Sequence, residues 1–248
     1  MNLFADAIAW IFSPDRLTDN IPLPELIAQH LFYTFVSVLI AAAIAIPIGY
    51  LIGHTGKGRE IAVGISGAAR AVPSFGLILL LVLVIGVTQK PLAAFIAFVL
   101  LAIPSILAGA YAGIEQVDRR TVDAARAVGM TEWQILFKVE IPLGLALLIG
   151  GLRAATLQVV ATVTLAAYIG LGGLGLPIIA GLALKRFDQM LGASLIIVTM
   201  AIVLDGLFAL LQHFVVPRGV TAGRIKDVRS SPNRRGAVVG SPIEEGKG

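Results

Sequence analysis

Apolar residues run through this chain in blocks of membrane length, and the charges gather between the blocks. A bilayer core about 30 Å thick needs about 20 mainly apolar residues in helical form. Five stretches meet that requirement: residues 30–53, 61–86, 91–114, 143–168 and 191–216. A sixth, 174–184, is apolar but short, and glycine and proline interrupt it. It predicts a re-entrant or gate segment, because such backbone survives at membrane depth only where protein or a cavity covers it. Pro73, with Arg70 one turn before it, is expected to break the second span. The apolar run at 7–12 is short, has no basic flank and no small-x-small site after it, so it is not expected to act as a signal peptide.

Composition agrees with a chain that faces something other than water. Apolar residues make up 57% and charged residues only 14%, with a mean hydropathy of +0.91. A soluble domain carries about 25% charged residues. Cysteine is absent, which excludes disulfides, thiolate metal sites and cysteine nucleophiles together. The net charge of +4 comes mostly from residues beyond Pro217 and is read as topology, with no nucleic-acid partner.

Lys and Arg in the short loops give the orientation. Lys57 and Arg59 follow the first span, Arg119, Arg120, Arg126 and Lys138 lie in 115–141, and seven more basic residues follow Val216. Only Arg16 precedes residue 30, and only Lys90 lies between the second and third spans. Five spans then place the N-terminus outside and the C-terminus in the cytoplasm. Lys185 and Arg186 fall on the outer side against this trend. Residues 1–29 are expected to be an external lead-in. Residues 217–248, rich in Gly, Ser, Pro and charge, are expected to be a disordered basic cytoplasmic tail.

The informative segment is 115–141, which is not a span. Asp118 can cap a helix with an apolar face of Val122, Ala125 and Val128. Gly129 stands where a helix end favours a left-handed residue. Thr131 and Gln134 match a capping box that opens a second short helix, and Pro142 suits the first turn of the next span. Ala124 and Ala125 would let another surface approach closely. An amphipathic loop lying on the bilayer fits the same spacing.

Asp123-Ala124-Ala125, with Gly129 beyond and Ile141-Pro142 after it, resembles the EAA signature of ATP-binding-cassette (ABC) importer permeases. Asp123 stands where that family usually has Glu, which keeps the charge. The resemblance implies that this loop is a coupling helix docking an ATPase subunit through Asp123, Ala124, Ala125, Gly129, Ile141 and Pro142. A narrower likeness runs through Gln29-His30-Leu31, residues 71–74, 111–114 and 128–131, and Tyr168 to Gly175. These resemble the osmoprotectant branch, whose permeases take up glycine betaine, choline, carnitine or proline. Where that branch tends to have an Asn-Thr pair before Tyr111, this chain has Ala108-Gly109-Ala110.

Other patterns point away from chemistry on this chain. Gly170, Gly172 and Gly175 satisfy G-x-G-x-x-G, but a dinucleotide site needs a preceding strand and a βαβ unit. A membrane helix is expected before them, so a break forming part of an external gate is the better reading. Gly56-Lys57 fails as a phosphate loop, since Leu51 and Gly58 occupy the other required positions. His30, His54 and His213 are scattered, and no catalytic constellation appears.

Gly49 and Gly53, and Gly109 and Gly113, are spaced for close helix packing, within one subunit or between two. Gln158 and Thr162, flanked by Thr156 and Thr164, should point inward, lining a pathway or bonding a neighbouring helix. Asp205, deep in the last span, is either a functional carboxylate or the partner of Arg153. Aromatic cages bind quaternary ammonium ions, and the resemblance places that cage on a separate binding protein. Phe75, Tyr111 and Tyr168 offer a weaker relay or interfacial packing.

The sequence therefore predicts an all-α integral membrane protein of the type I ABC importer permease kind. It has about five spans plus a re-entrant segment within a transmembrane domain over 30–216. The resemblance makes it the non-enzymatic, multi-pass permease subunit of an importer in a bacterial cytoplasmic membrane. Its partners would be ABC ATPase subunits, a second permease copy or paralogue, an extracytoplasmic solute-binding protein and membrane lipid, with no cofactor and no metal. Pathway or gate candidates are Pro73, Ser74, Tyr111, Gln158, Thr162, Tyr168, Gly170, Gly172, Gly173 and Gly175. An ion-coupled secondary transporter using Asp205, or an ABC permease for an amino acid, are the alternatives.

Overall fold

Three long apolar helices carry the architecture: α3 (Leu23–Thr55), α6 (Lys90–Glu115) and α9 (Ile141–Ala166). The computed structural model describes residues 2–215, so the tail 217–248 lies outside them. No strand occurs among the described residues. In lipid the hydrophobic effect does not drive helices together, so close backbone approach through small residues does. A Cβ on Gly49 would stand 2.5 Å from the Ala110 Cβ, and one on Gly53 would stand 2.6 Å from the Ile114 Cβ. A Cβ on Gly109 would stand 2.7 Å from the Leu147 carbonyl oxygen and 2.9 Å from Gly151 Cα. Gly113 and Gly144 meet in the same way. Both glycine pairs read from the sequence are thus spent inside this chain, on the α3–α6 and α6–α9 contacts.

The second apolar block is two helices, α4 (Arg59–Ala71) and α5 (Ser74–Ile85). Val72 is extended at φ −74°, ψ 124°, as a residue before proline must be, and Pro73 caps α5. The expected break at Pro73 is present, so 61–86 is not one continuous span. Among the described residues, four helices are long and apolar enough to cross a membrane: Leu23–Thr55, Val87–Glu115, Glu132–Ile169 and Phe187–Val215.

The lead-in expected over 1–29 is shorter and more ordered. α3 already begins at Leu23, with Pro22 as its cap and Pro24 in its first turn. Before it lie α1 (Leu3–Ile11) and α2 (Asp15–Thr18). α1 buries Ala7 and Trp10, and the Trp10 ring packs over Gly192 of α11 (Phe187–Val215). Arg16 stacks above the same ring at 5.0 Å.

The short apolar segment is α10 (Gly175–Ala183), a helix of 9 residues. It packs on α9 and α11 and is too short to span. α11 buries only Gln189, Gly192, Ala193 and Leu204. It presents Val198, Ile202, Val203, Leu207 and Leu210 outward. A face of that kind suits lipid or a second apolar surface.

Candidate functional site

Between α6 and α9 the chain folds into α7 (Arg119–Ala127), α8 (Glu132–Ile135) and a wide π turn over Leu136–Glu140. Asp118 caps α7 by accepting from the Arg120 N–H at 2.9 Å. Val122 and Ala125 sink into a small cluster with Val117 and Ile135. Val128 does not join them. The helix has ended at Ala127, and Val128 is 79% exposed. Gly129 is left-handed at φ +86°, and the next N–H, of Met130, bonds back to the Ala125 carbonyl at 3.1 Å. Both bonds of the Thr131–Gln134 capping box form.

One expectation for this loop changes. Ala124 and Ala125 do not form one surface, since adjacent residues on a helix point about 100° apart. Ala124 faces outward, whereas Ala125 is 8% exposed and supports the loop from beneath. Pro142 stands in the first turn of α9, as expected, and the π turn joins that helix to α8 without leaving helical backbone. The π turn widens the coil where the Pro142 ring would otherwise press on the Lys138 carbonyl. Ile141 and Pro142 are half-buried at this joint. Asp123, Ala124, Val128, Gly129 and Trp133 form the exposed face, with Trp133 stacked on Phe137 at 6.1 Å.

A chain of charges ties the loop to the end of α3. Arg126 donates to both oxygens of Glu132, at 2.8 and 3.0 Å, and to Asp123 at 3.3 Å. The Glu132 carboxylate, as a hydrogen-bond acceptor, raises the Arg126 pKa further. Glu132 also lies 3.3 Å from His54 Nε2, and His54 Nδ1 lies 2.5 Å from the buried Glu140. His54, Arg126 and Glu140 border a cleft of about 160 Å³ that also takes in Tyr111, Glu115, Arg119 and Asp123. Tyr111 therefore lies at the loop end of the bundle. His54 and Glu140 were not legible as a site, because 86 residues separate them. The one available signal was a carboxylate, Glu140, just before an apolar span.

The other candidates gather where α9 ends. Tyr168 follows α9 and meets Phe75 of α5 edge-on at 5.4 Å, beside the Pro73-Ser74 break. Gly170, Gly172 and Gly173 all have positive φ, at 71°, 96° and 71°. Gly175 abuts the Thr164 carbonyl, leaving no room for a Cβ. A helix precedes this loop, so the dinucleotide pattern is incidental. Gln158 and Thr162 part company. Gln158 accepts from Ser105 of α6 at 3.5 Å, and Thr162 is buried and donates to the Gln158 carbonyl at 2.8 Å. Gln158 thus bonds the neighbouring helix α6, whereas the Thr162 bond stays within α9.

Asp205 is paired. Both its oxygens accept from the Arg153 guanidinium, joining α11 to α9. The two side chains are 36% and 35% exposed at the α9–α11 contact, and mutual neutralisation answers the cost of two charges at membrane depth, so Asp205 is not a lone carboxylate awaiting an ion.

Residues 45–219 match the family described as "binding-protein-dependent transport system inner membrane component". The chain is 33% identical over 196 residues to the carnitine transport permease protein OpuCB of Listeria monocytogenes, covering 79% of this chain and 89% of that one. It is 29% identical over 192 residues to the glycine betaine/carnitine/choline permease OpuCB of Bacillus subtilis, covering 77% and 88%. It is 33% identical over 204 residues to the osmoprotectant import permease OsmW of Salmonella typhimurium, covering 80% and 94%. Among solved structures it superposes on a chain of the inward-facing MetNI methionine ABC transporter with a TM-score of 0.68. That alignment has 20% identity and covers 79% of this chain and 96% of the other.

Proposed function

The chain belongs to the family of binding-protein-dependent transport system inner membrane components, as a permease subunit of an ABC importer, and on that premise we propose that it passes a small osmoprotectant, a quaternary ammonium solute such as carnitine, choline or glycine betaine. The substrate class comes from relatives that cover about four fifths of this chain. ATP is hydrolysed on a separate subunit. A second permease completes the pore, and an extracytoplasmic binding protein delivers the solute. The N-terminus lies outside and the 115–141 loop lies in the cytoplasm, following the distribution of Lys and Arg.

The observation that carries the mechanism is the way the loop is built. Its outer face is exposed, and its inner face is fixed to the ends of α3 and α9 by Ala125, His54 and Glu140. A push on Ala124, Val128 or Gly129 therefore reaches two membrane helices at once. The loop is the lever, and the helices it grips are what an ATPase would move.

The test is reconstitution of the full transporter in vesicles with its ATPase and binding protein. Radiolabelled glycine betaine, carnitine and choline should accumulate only with ATP and binding protein present, regardless of sodium or proton gradients. Uptake that follows an ion gradient without ATP would overturn the reading.

A further inference from the structure

The loop 170–175 has non-helical backbone up to Leu174, at the end of a membrane helix, where every N–H and C=O needs a partner. Part of that need is met within its own segment. Gly170 N–H bonds to Ala167, Leu171 N–H to Ala166, and Leu176 N–H to the Gly173 carbonyl. A further part is met from α3, more than 130 residues away in sequence. Gln29 Oε1 accepts from Gly173 N–H at 3.2 Å, and His30 Nδ1 accepts from Leu174 N–H at 3.3 Å. The Tyr33 hydroxyl donates to the Leu171 carbonyl at 3.3 Å. Three side chains spaced along one turn of α3 thus hold three successive parts of the loop.

His30 does more than accept. Its Nε2 lies 3.1 Å from the Val160 carbonyl of α9, so that nitrogen donates and Nδ1 is free to accept. The ring is completely buried, and it joins α3, α9 and the loop at one point. The loop's glycines suit this grip. A Cβ on Gly172 would stand 2.5 Å from Gln29 Oε1, and one on Gly173 would stand 3.4 Å from His30 Nδ1. Gly172 and Gly173 therefore serve both their left-handed backbone and the approach of α3.

We propose that Gln29, His30 and Tyr33 are positioning residues for transport: a latch on α3 that sets how far the 170–175 loop, acting as a gate, stays closed. This rests on the permease reading for the word gate; the latch itself is a matter of contacts. A gate that opens in each cycle must break few and individually modest bonds. Three side chain to backbone hydrogen bonds, each a modest net contribution, fit that demand better than packed apolar surface. Because α3 is also gripped by the 115–141 loop at His54, one helix touches both ends of the proposed stroke.

The absence of cysteine from this chain makes the test clean. Leu174→Cys, fully buried in the latched state, is placed in the assembled transporter and labelled with a membrane-impermeant maleimide, in preparations open to both faces. The two arms of His30 are then separated. His30→Asn puts an acceptor near the Nδ1 position and loses the bond to Val160. His30→Gln reaches toward Val160 and loses the bond to Leu174. Labelling should rise roughly tenfold in His30→Gln and in Gln29→Leu, as loss of a buried hydrogen bond implies, and stay near the parent level in His30→Asn. In the same variants ATP hydrolysis should continue while uptake falls, at unchanged membrane abundance. Equal labelling in all variants overturns the latch, as does equal damage from His30→Asn and His30→Gln. If the parent transporter shows no ATP-driven uptake, the permease reading fails, while the labelling result still decides the contact.

Discussion

His54 Nδ1 lies 2.5 Å from the Glu140 carboxylate, although one residue ends the first long helix and the other precedes the third. Glu140 is 6% exposed, so removing its partner strands a buried carboxylate. That costs about 1–3 kcal/mol or more for a charged group. His54→Ala and Glu140→Ala should each lower the unfolding midpoint and uptake. The double variant should be no worse than the poorer single one, because the pair fails as a unit. Additive losses, measured by a double-mutant cycle on thermal unfolding in detergent, would show that the two side chains act separately.

The helix contacts make a sharper stability prediction. A Cβ on Gly113 would stand 2.6 Å from the Gly144 carbonyl oxygen, and nothing lies within 4 Å of one on Gly150. Gly113→Ala and Gly144→Ala should each destabilise the protein by about 1–3 kcal/mol through overpacking. Gly150→Ala should be neutral. Thermal unfolding of the purified protein distinguishes them, and equal midpoints for all three would mean that α6 and α9 can separate without penalty.

Arg153 and Asp205 can be tested as a charge pair. Asp205→Ala alone leaves a guanidinium without its partner among apolar helices and should reduce folded abundance. Arg153→Leu combined with Asp205→Leu should recover abundance, since an apolar pair of similar volume avoids the desolvation cost. Uptake should return with it. Loss of uptake in a well-folded double variant would instead give the carboxylate a direct role in moving solute.

Neighbouring alanines should respond differently. Ala124→Leu alters the exposed face of α7 and leaves its core intact. It should reduce ATPase copurification and uptake while the permease keeps its unfolding midpoint. Ala125→Leu crowds the cluster of Val117, Val122 and Ile135 and should lower the midpoint, at a cost of about 1–3 kcal/mol. Should Ala124→Leu leave both copurification and uptake unchanged, the exposed face is not the ATPase contact.

Much of this protein was legible in one dimension because the physics involved is local. Span length, the break at Pro73, the Asp118 cap, the left-handed Gly129 and the Thr131–Gln134 box each depend on a few consecutive residues. Contacts that depend on where a helix ends are less local. Val128 fits the spacing of an apolar face, but the helix stops one residue earlier, and Ala124 and Ala125, adjacent in sequence, face apart. α3 starts seven residues before the apolar block at 30–53, because Pro22, Pro24 and Glu25 give its first turn the look of a lead-in.

By itself, then, the sequence determined the class of molecule. A chain with 14% charged residues, apolar blocks of membrane length and one polar helical loop between them can satisfy its backbone in lipid only as packed helices. Tertiary structure decided which residues meet. Gln29 and His30 reach a loop 144 positions away, His54 reaches Glu140, and Arg153 reaches Asp205. The reason is that hydrogen bonds and charge pairs act over a few ångströms of space. Only the packing of α3, α6, α9 and α11 brings those ångströms together.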